Sequence, residues 1–354
     1  MRSLRTNKTL RTNVITYAVV VAAFVLFQCL GSAGVLSSTM KGQLVPICAY
    51  VLMALSLNLT VGILGELSLG HAGFMSVGAF AGAVTASAMQ DSVSPSALRL
   101  TVAVLVGAVL AAIVGVLIGI PVLRLNGDYL AIVTLAFGEI IKSIVNNLYI
   151  GMDANGLHAS FLNNTIVLGE GGRMILSGPM GVPGIKKTAT FAAGFILILI
   201  ALFVIFNLVN SRAGRAIMAL RDNRIAAESV GINVTKYKLM AFVISAAIAG
   251  AGGALYGQAQ NAIIATKFDF NTSILILVFV VLGGMGNMLG SILAAALLTV
   301  LPELLRSLND YRMLIYAIVL ILMMLFNSAP AMVQWREQMT EKLRKTFGKE
   351  KKEG

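Results

Sequence analysis

The sequence predicts an all-α, polytopic membrane protein, and three observations carry that prediction. Of its 354 residues, 58% are hydrophobic and only 12% are charged, with a mean hydropathy of +0.87, whereas a soluble domain averages about 25% charged residues. Uncharged apolar runs of about 18 or more residues, each long enough to cross a bilayer core as a helix, recur along the chain. These runs are continuous and lack the alternating ten-residue pattern of a membrane β-barrel.

Each element can be justified in turn. A basic tail, 1–13, holds Arg2, Arg5, Lys8 and Arg11 and precedes the first apolar run, 14–31. That run is long for a signal-peptide core and has no clear small-x-small cleavage site, so it reads as a retained helix. Runs 42–65 and 67–90 follow, joined through the glycine-rich stretch 62-GILGELSLGHAG-73, and 100–123 comes next. Segment 129–149 adds a pass if Glu139 and Lys142, spaced i,i+3 on one helix face, pair inside the protein. The polar stretch 150–187 carries Lys and Arg only at Arg173, Lys186 and Lys187 and reads as an external loop. Run 188–211 returns the chain to a basic loop, 210–238, and 239–266 leaves it again. Residues 270–302 form one uncharged run interrupted by 283-GGMGNMLG-290, whose four glycines and asparagine weaken a continuous helix. A broken, re-entrant pair of half-helices returning to one face, followed by span 313–335, places the charged tail 336–354 on the side of the N-terminus. The expected total is 8–10 transmembrane helices, with a transmembrane domain over 14–335.

Charge distribution then decides what the formal net charge of +12 means. The N-terminal tail, the 210–238 loop and the C-terminal tail hold most of the 27 Lys and Arg, which is the positive-inside pattern of cytoplasmic segments. The balance reports topology and a lipid bilayer as partner, not nucleic acid. Cys29 and Cys48 lie inside apolar runs and read as core residues. No stretch fits G-x-x-x-x-G-K-[ST]; the nearest, 178-GPMGVPGIKK-187, has the wrong spacing and falls on the external side, so this chain does not bind and hydrolyse ATP by itself. With His71 and His158 as the only histidines no metal cluster is expected, and no G-x-S-x-G occurs in a nucleophile-elbow context. No catalytic residues are assigned.

Two constellations remain. Interrupted hydrophobic segments in the two halves of a transporter mark the substrate path, because unwound backbone at membrane depth is tolerated only where protein or water covers it. The path candidates are Glu66, Ser68, Gly70, His71 and Gly73 in the first interruption and Gly283, Gly284, Gly286 and Asn287 in the second. Glu66 and His71 would stand about 140° apart on a straight helix; a bend at Gly65 and Gly70 would bring them together. The blander readings are an interfacial carboxylate for Glu66, a histidine bonded to a neighbouring helix for His71, and a structural ion pair for Glu139 and Lys142. Ionisable groups in a membrane segment are costly, so all of these point inward. The second constellation is 212-RAGRAIMALRDNRIAAESVGINVTKYK-238. Its part from Arg215 to Val230 has helical composition, with Ile217, Leu220, Ile225 and Val230 as an apolar stripe and Gly231 as the stop. It is either a docking helix or a solvated basic loop.

The segment 214-GRAIMALRDNRIAAESVGINVTKYKLMAFVISAAIAGAGGALYG-257 resembles the coupling region of the LivM-like permeases of bacterial branched-chain amino acid ABC importers. The stretches 55-LSLNLTVGILGELSLGHAGFMSVGAF-80, 123-LRLNGDYLAIVTLAFGEIIKSIVNN-147 and 282-LGGMGNMLGSILAAALLTVLPELLRSLNDYRMLIYAIVLILMMLF-326 resemble the same family, in the family's order. The resemblance implies the permease fold of an ABC importer and an EAA-type coupling motif to which Ala226, Ala227 and Gly231 correspond, with Arg221, Asp222 and Glu228 beside them. Ile225 stands where the motif's Glu would be. Two departures are the longer segment 150–177, ahead of a Gly-Pro-x-Gly-like 178-GPMG-181, and 327-NSAPAM-332 in place of an Arg-Pro-x-Gly-like end. The implied partners are a second, LivH-like permease subunit, two cytosolic ABC ATPase subunits and an extracytoplasmic amino-acid-binding protein. ATP and Mg are used by the ATPases; no cofactor is bound by this chain. The implied place is the bacterial cell membrane, with both termini cytoplasmic. An importer of urea, amides or nucleosides is the alternative within the class. An ion-coupled secondary transporter or channel is the alternative outside it, disfavoured by the scarcity of membrane carboxylates and by the docking loop.

Overall fold

In lipid each backbone N–H and C=O must be satisfied within its own segment, which makes helices of long apolar runs. The computed structural model describes residues 2–305 apart from 35–36, 91–93, 126, 154–155, 164, 167 and 170–171, and beyond these 311, 314–315 and 317–322. The order is α1 (Arg2–Ser32), α2 (Ser38–Asn58), a π-helical turn (Leu59–Leu64), α3 (His71–Ala88), α4 (Ser96–Val122) and α5 (Asp128–Asn146). Three strands follow, β1 (Leu148–Asp153), β2 (Gly156–Phe161) and β3 (Arg173–Ser177). Then come α6 (Phe191–Asn210), α7 (Arg212–Asp222), α8 (Arg224–Ser229), α9 (Val234–Ala259), α10 (Phe270–Gly283) and α11 (Met288–Leu304). By length and composition, six helical segments among the described residues can cross a membrane: 13–32, 38–64, 96–122, 191–210, 234–259 and 265–283. Helix α11 is apolar but shorter. The expected span 313–335, the tail 336–354 and the 327–332 departure lie wholly or mostly outside the described residues.

The heart of residues 1–297, one compact unit, is α3 packed with α4 and α9. Small residues set its spacing, as they do in membrane bundles generally. A Cβ at Gly78 would run into the Gly250 carbonyl, one at Gly253 into the Met75 carbonyl, and one at Gly107 would lie 2.9 Å from the Gly78 carbonyl oxygen. Helix α2 covers this block and buries Leu52, Met53, Leu55 and Leu57 almost completely. Helix α1 lies outside α6, with Phe24 stacked on Phe191 and Phe195. Leu105, Val109, Ile113 and Leu117 of α4 are exposed, a large-residue stripe suited to lipid. The second unit, 298–354, is described only through the end of α11 and short helical turns at 314–315 and 317–322.

The segment expected as a loop from 150 contains a three-stranded antiparallel sheet in the order β2-β1-β3. It is clamped at two places. Arg173 Nη2 donates to the Ser87 carbonyl at 2.5 Å, at the last turn of α3, where a cation meets the negative end of the helix dipole. Beyond β3, Val182 and Ile263 exchange backbone hydrogen bonds of 3.0 and 3.1 Å, tying this segment to the connection between α9 and α10.

Candidate functional site

The first interruption begins before the glycines. After Asn58 the α2 ladder widens to a π turn, and Gly65 leaves it in the left-handed region at φ 80°, a conformation in which glycine carries no Cβ penalty. Residues 65–70 are irregular, and α3 starts at His71 inside the bundle. The second interruption reverses the chain between α10 and α11. Gly284 (φ 90°) and Gly286 (φ 83°) form the turn, and the backbones of Gly283 and Gly290 approach so closely that a side chain on either would collide. Asn287 caps α11, its Oδ1 accepting from the Gly290 N–H at 3.2 Å.

The two interruptions meet. The fully buried Asn58 side chain accepts from the Gly286 N–H at 2.7 Å and donates to Ser291 Oγ at 2.9 Å. A Cβ on Gly62 would fall on the Asn58 amide and the Gly286 backbone. A third segment joins from α7: Arg221 Nη1 donates to the Gly62 carbonyl at 3.0 Å, and the Arg221 stem lies 2.5 Å from where a Gly65 Cβ would be. The guanidinium is held from behind, its Nε and Nη2 both donating to Asp222 Oδ1 at 3.1 and 3.0 Å.

Glu66 and His71 are not a pair. Glu66 forms an ion pair with Lys238 of α9; their side chains are 13% and 4% exposed. Removing either partner would leave the other charge buried without compensation. His71 is fully buried and turns to other helices: Nε2 lies 2.6 Å from Ser56 Oγ and 3.3 Å from Ser245 Oγ. Ser245 donates to the Ser56 carbonyl at 2.6 Å, Thr60 Oγ1 donates to Ser245 Oγ at 2.8 Å, and Ser56 Oγ reaches the Met53 carbonyl at 3.2 Å. With the proton on Nε2, given to Ser56, every hydroxyl proton in this chain has an acceptor. Nδ1 is buried without a partner among the described residues, as is Ser68 Oγ.

Around the start of α3 the backbone N–H groups are taken up within the protein. The Ala72 N–H goes to Ser273 Oγ at 3.1 Å, the Leu69 N–H to Thr134 Oγ1 at 3.1 Å and the Gly73 N–H to the Gly70 carbonyl at 3.0 Å. Gly70 lies against the Thr134 carbonyl, and a Cβ on Gly73 would be 3.0 Å from Gly138 Cα. Glu139 and Lys142 pair with each other, as their spacing suggested, but with side chains 41% and 26% exposed the pair lies at the surface of this chain and not inside it as expected.

The stripe expected along one helix from Arg215 to Val230 is divided. Asn223 ends α7 and caps α8, its Oδ1 accepting from the Ala226 N–H at 3.0 Å. Ile217 and Leu220 are buried, but Ile225 and Val230 are 80% and 75% exposed. The turn at Asn223 therefore makes a hairpin with two apolar faces, one inward and one outward. Ala227 is buried with Leu220 and Val234, whereas Ala226, Glu228 and Gly231 are exposed. Gly231, at φ 82°, closes the hairpin: its N–H bonds to the Glu228 carbonyl and the Ile232 N–H to the Ala227 carbonyl, the paired bonds of a Schellman stop. Sequence reasoning passed over Asn58, Ser56, Ser245 and Lys238. The available signal was a lone amide and small hydroxyls inside apolar runs, residues that act across helices in membranes.

The family comparison covers all of these parts. A family model described as "Branched-chain amino acid transport system / permease component" matches residues 40–325. The chain belongs to this family. The permease is 37% identical over 302 residues to the high-affinity branched-chain amino acid transport system permease protein LivM of Salmonella typhimurium, covering 82% of this chain and 69% of that protein. The LivM protein of Escherichia coli gives the same identity and coverage. More distantly, the permease is 26% identical over 198 residues to the nucleoside ABC transporter permease protein NupC of Lactococcus lactis, 55% of this chain and 59% of that one. No solved structure matches it.

Proposed function

We propose that this chain is the membrane permease subunit of an ATP-driven, binding-protein-dependent importer of branched-chain amino acids. The observation that carries the reading is the 37% identity to LivM permeases across 302 residues, a stretch long enough to include the interruptions and the hairpin. A second, LivH-like permease subunit would complete the path, two cytosolic ATPases would supply ATP hydrolysis with Mg, and an extracytoplasmic binding protein would deliver the substrate. In this reading both termini and the α7–α8 hairpin face the cytoplasm, and the sheet β1–β3 faces outward.

Physical chemistry supports a docking role for the hairpin. Its inner face is closed by Leu220, Ala227 and Val234, so it holds its shape, and its outer face presents Ile225 and Val230 to whatever lies beyond. Exposed aliphatic residues at a hairpin tip suit insertion into an apolar groove. Among the path candidates, Gly286 and Asn287 are exposed, whereas Gly70, His71 and Gly73 serve packing.

The test is uptake of leucine, isoleucine and valine into liposomes holding the assembled complex. Uptake that requires ATP, the ATPases and the binding protein is expected; uptake that persists without ATP would overturn the reading. Titrating the binding protein with branched-chain amino acids and with nucleosides separates two of the substrate classes that its relatives name. For the hairpin, I225D together with V230D is expected to abolish co-purification of the ATPases. Retained co-purification would show that docking lies elsewhere.

A further inference from the structure

The geometry points to one mechanical junction, in which Arg221 and Asn58 act as positioning residues that join the α7–α8 hairpin to both glycine-rich interruptions so that the three move as a single body. The inference rests on the hairpin as the ATPase-docking element and goes beyond it by naming the atoms through which a displacement there reaches the bundle.

Three segments remote in sequence converge on Gly62. The last turn of a helix leaves its carbonyls without intrahelical partners, and in the π turn after α2 the Gly62 carbonyl is taken by Arg221, 159 positions away. This bond has direction as well as charge. Asp222 holds Nε and Nη2, so Nη1 is aimed at the carbonyl and the guanidinium plane cannot swing freely. A lysine, with one rotatable ammonium, could not be anchored behind and bonded ahead in this way. On the other side of the same turn, Asn58 uses both ends of its amide: the oxygen takes the Gly286 N–H and the nitrogen reaches Ser291. Gly62 itself has no space for a side chain between these groups. A push on the hairpin is therefore delivered to the end of α2, and through Asn58 to the turn between α10 and α11.

The competing route is covalent. The hairpin is also continuous with α6 and α9, and could move those helices while the glycine turns stay still. The two routes differ in one distance, that between the hairpin and the 284–287 turn. Arg215 of α7 is exposed and stands apart from the Ile225–Val230 docking face, Met285 is 63% exposed, and both can carry spin labels in a chain whose exposed Cys29 is replaced by serine; Cys48 is buried.

The experiment uses the complete transporter in liposomes. With labels at 215 and 285, the distance distribution is expected to be the same in nucleotide-free and ATP-bound states. In R221A it should shift or broaden between them. Transport per ATP hydrolysed is expected to fall by about 5-fold or more in R221A, the scale of a typical coupling free energy, with the ATPases still co-purifying; R221K should recover only part of it, and N58A should change in the same direction as R221A. A nucleotide-dependent change of the 215–285 distance without the R221A substitution would overturn the proposal, as would an unchanged transport-to-ATP ratio in R221A. If the docking reading fails, I225D with V230D leaves the ATPases bound, yet the label distance still reports whether hairpin and turn travel together, so the two failures are told apart.

Discussion

The two glycine-rich interruptions look alike in sequence, yet Gly62, Gly70 and Gly73 of the first and Gly284 and Gly286 of the second are used in opposite ways. Around 62–73 the glycines admit other parts of the protein: Gly62 takes in Asn58 and the Gly286 backbone, Gly70 the Thr134 carbonyl, and Gly73 the Gly138 backbone. At 284–286 they supply backbone angles instead, in a turn whose tip is open; the nearest atom to a Gly286 Cβ is 3.5 Å away. Glycine enrichment in an apolar run therefore carries two separable meanings, close approach and left-handed conformation. Only the first makes a position intolerant of every larger residue.

That contrast can be broken or sharpened by substitution, with thermal unfolding of the purified chain in detergent as the measurement. The largest effect is expected for K238A, which leaves the Glu66 carboxylate in the first interruption without its partner. Removing one member of a buried pair costs about 3–5 kcal/mol, and with Glu66 13% exposed the low end applies. The double variant E66Q/K238M should recover most of that loss, and a K238A chain melting with the unsubstituted one would remove the pair from the account. Next comes G70A, where the new methyl meets the Thr134 carbonyl; overpacking of this kind costs about 1–3 kcal/mol. The smallest is G286A. Here only the left-handed backbone is penalised, by about 1–2 kcal/mol, since the surrounding space is free. Were G286A to destabilise more than G70A, the distinction between the two interruptions would be reversed.

How much of this was legible beforehand depends on what the signal reports. Apolar runs marked where the helices lie, and the glycines marked both interruptions, because length and hydropathy are properties of one segment; the ends moved where polar residues are helical too, α1 starting at Arg2 instead of 14 and α9 covering 234–259 instead of 239–266. The residue partners were not legible. A helix that is apolar toward lipid and apolar toward protein shows no periodic face, so α4 and α9 gave no sign of which side packs. Local spacing offers Glu66 only His71, five residues away, whereas its partner lies 172 positions on. The division of 215–230 at Asn223 escaped because a capping asparagine within a helical composition reads as a tolerated residue until its Oδ1 is seen to accept from Ala226. Strands β1–β3 escaped because each is only five or six residues long and they share their span with glycines and polar residues.

The Asn58 amide also bears on how the chain is made. Its partner Ser291 lies 233 positions downstream, and synthesis runs at about 5–20 residues per second. Helix α2 therefore exists for roughly 10–50 s before the residue that completes its hydrogen bonds has been polymerised. During that interval a polar group destined for the middle of the assembly has to be sheltered by water, by the insertion machinery or by a provisional neighbour. The junction at Gly62 can close only after α10 and α11 arrive, which makes it one of the last parts of the bundle to form and ties correct closure of the early helices to completion of the late ones.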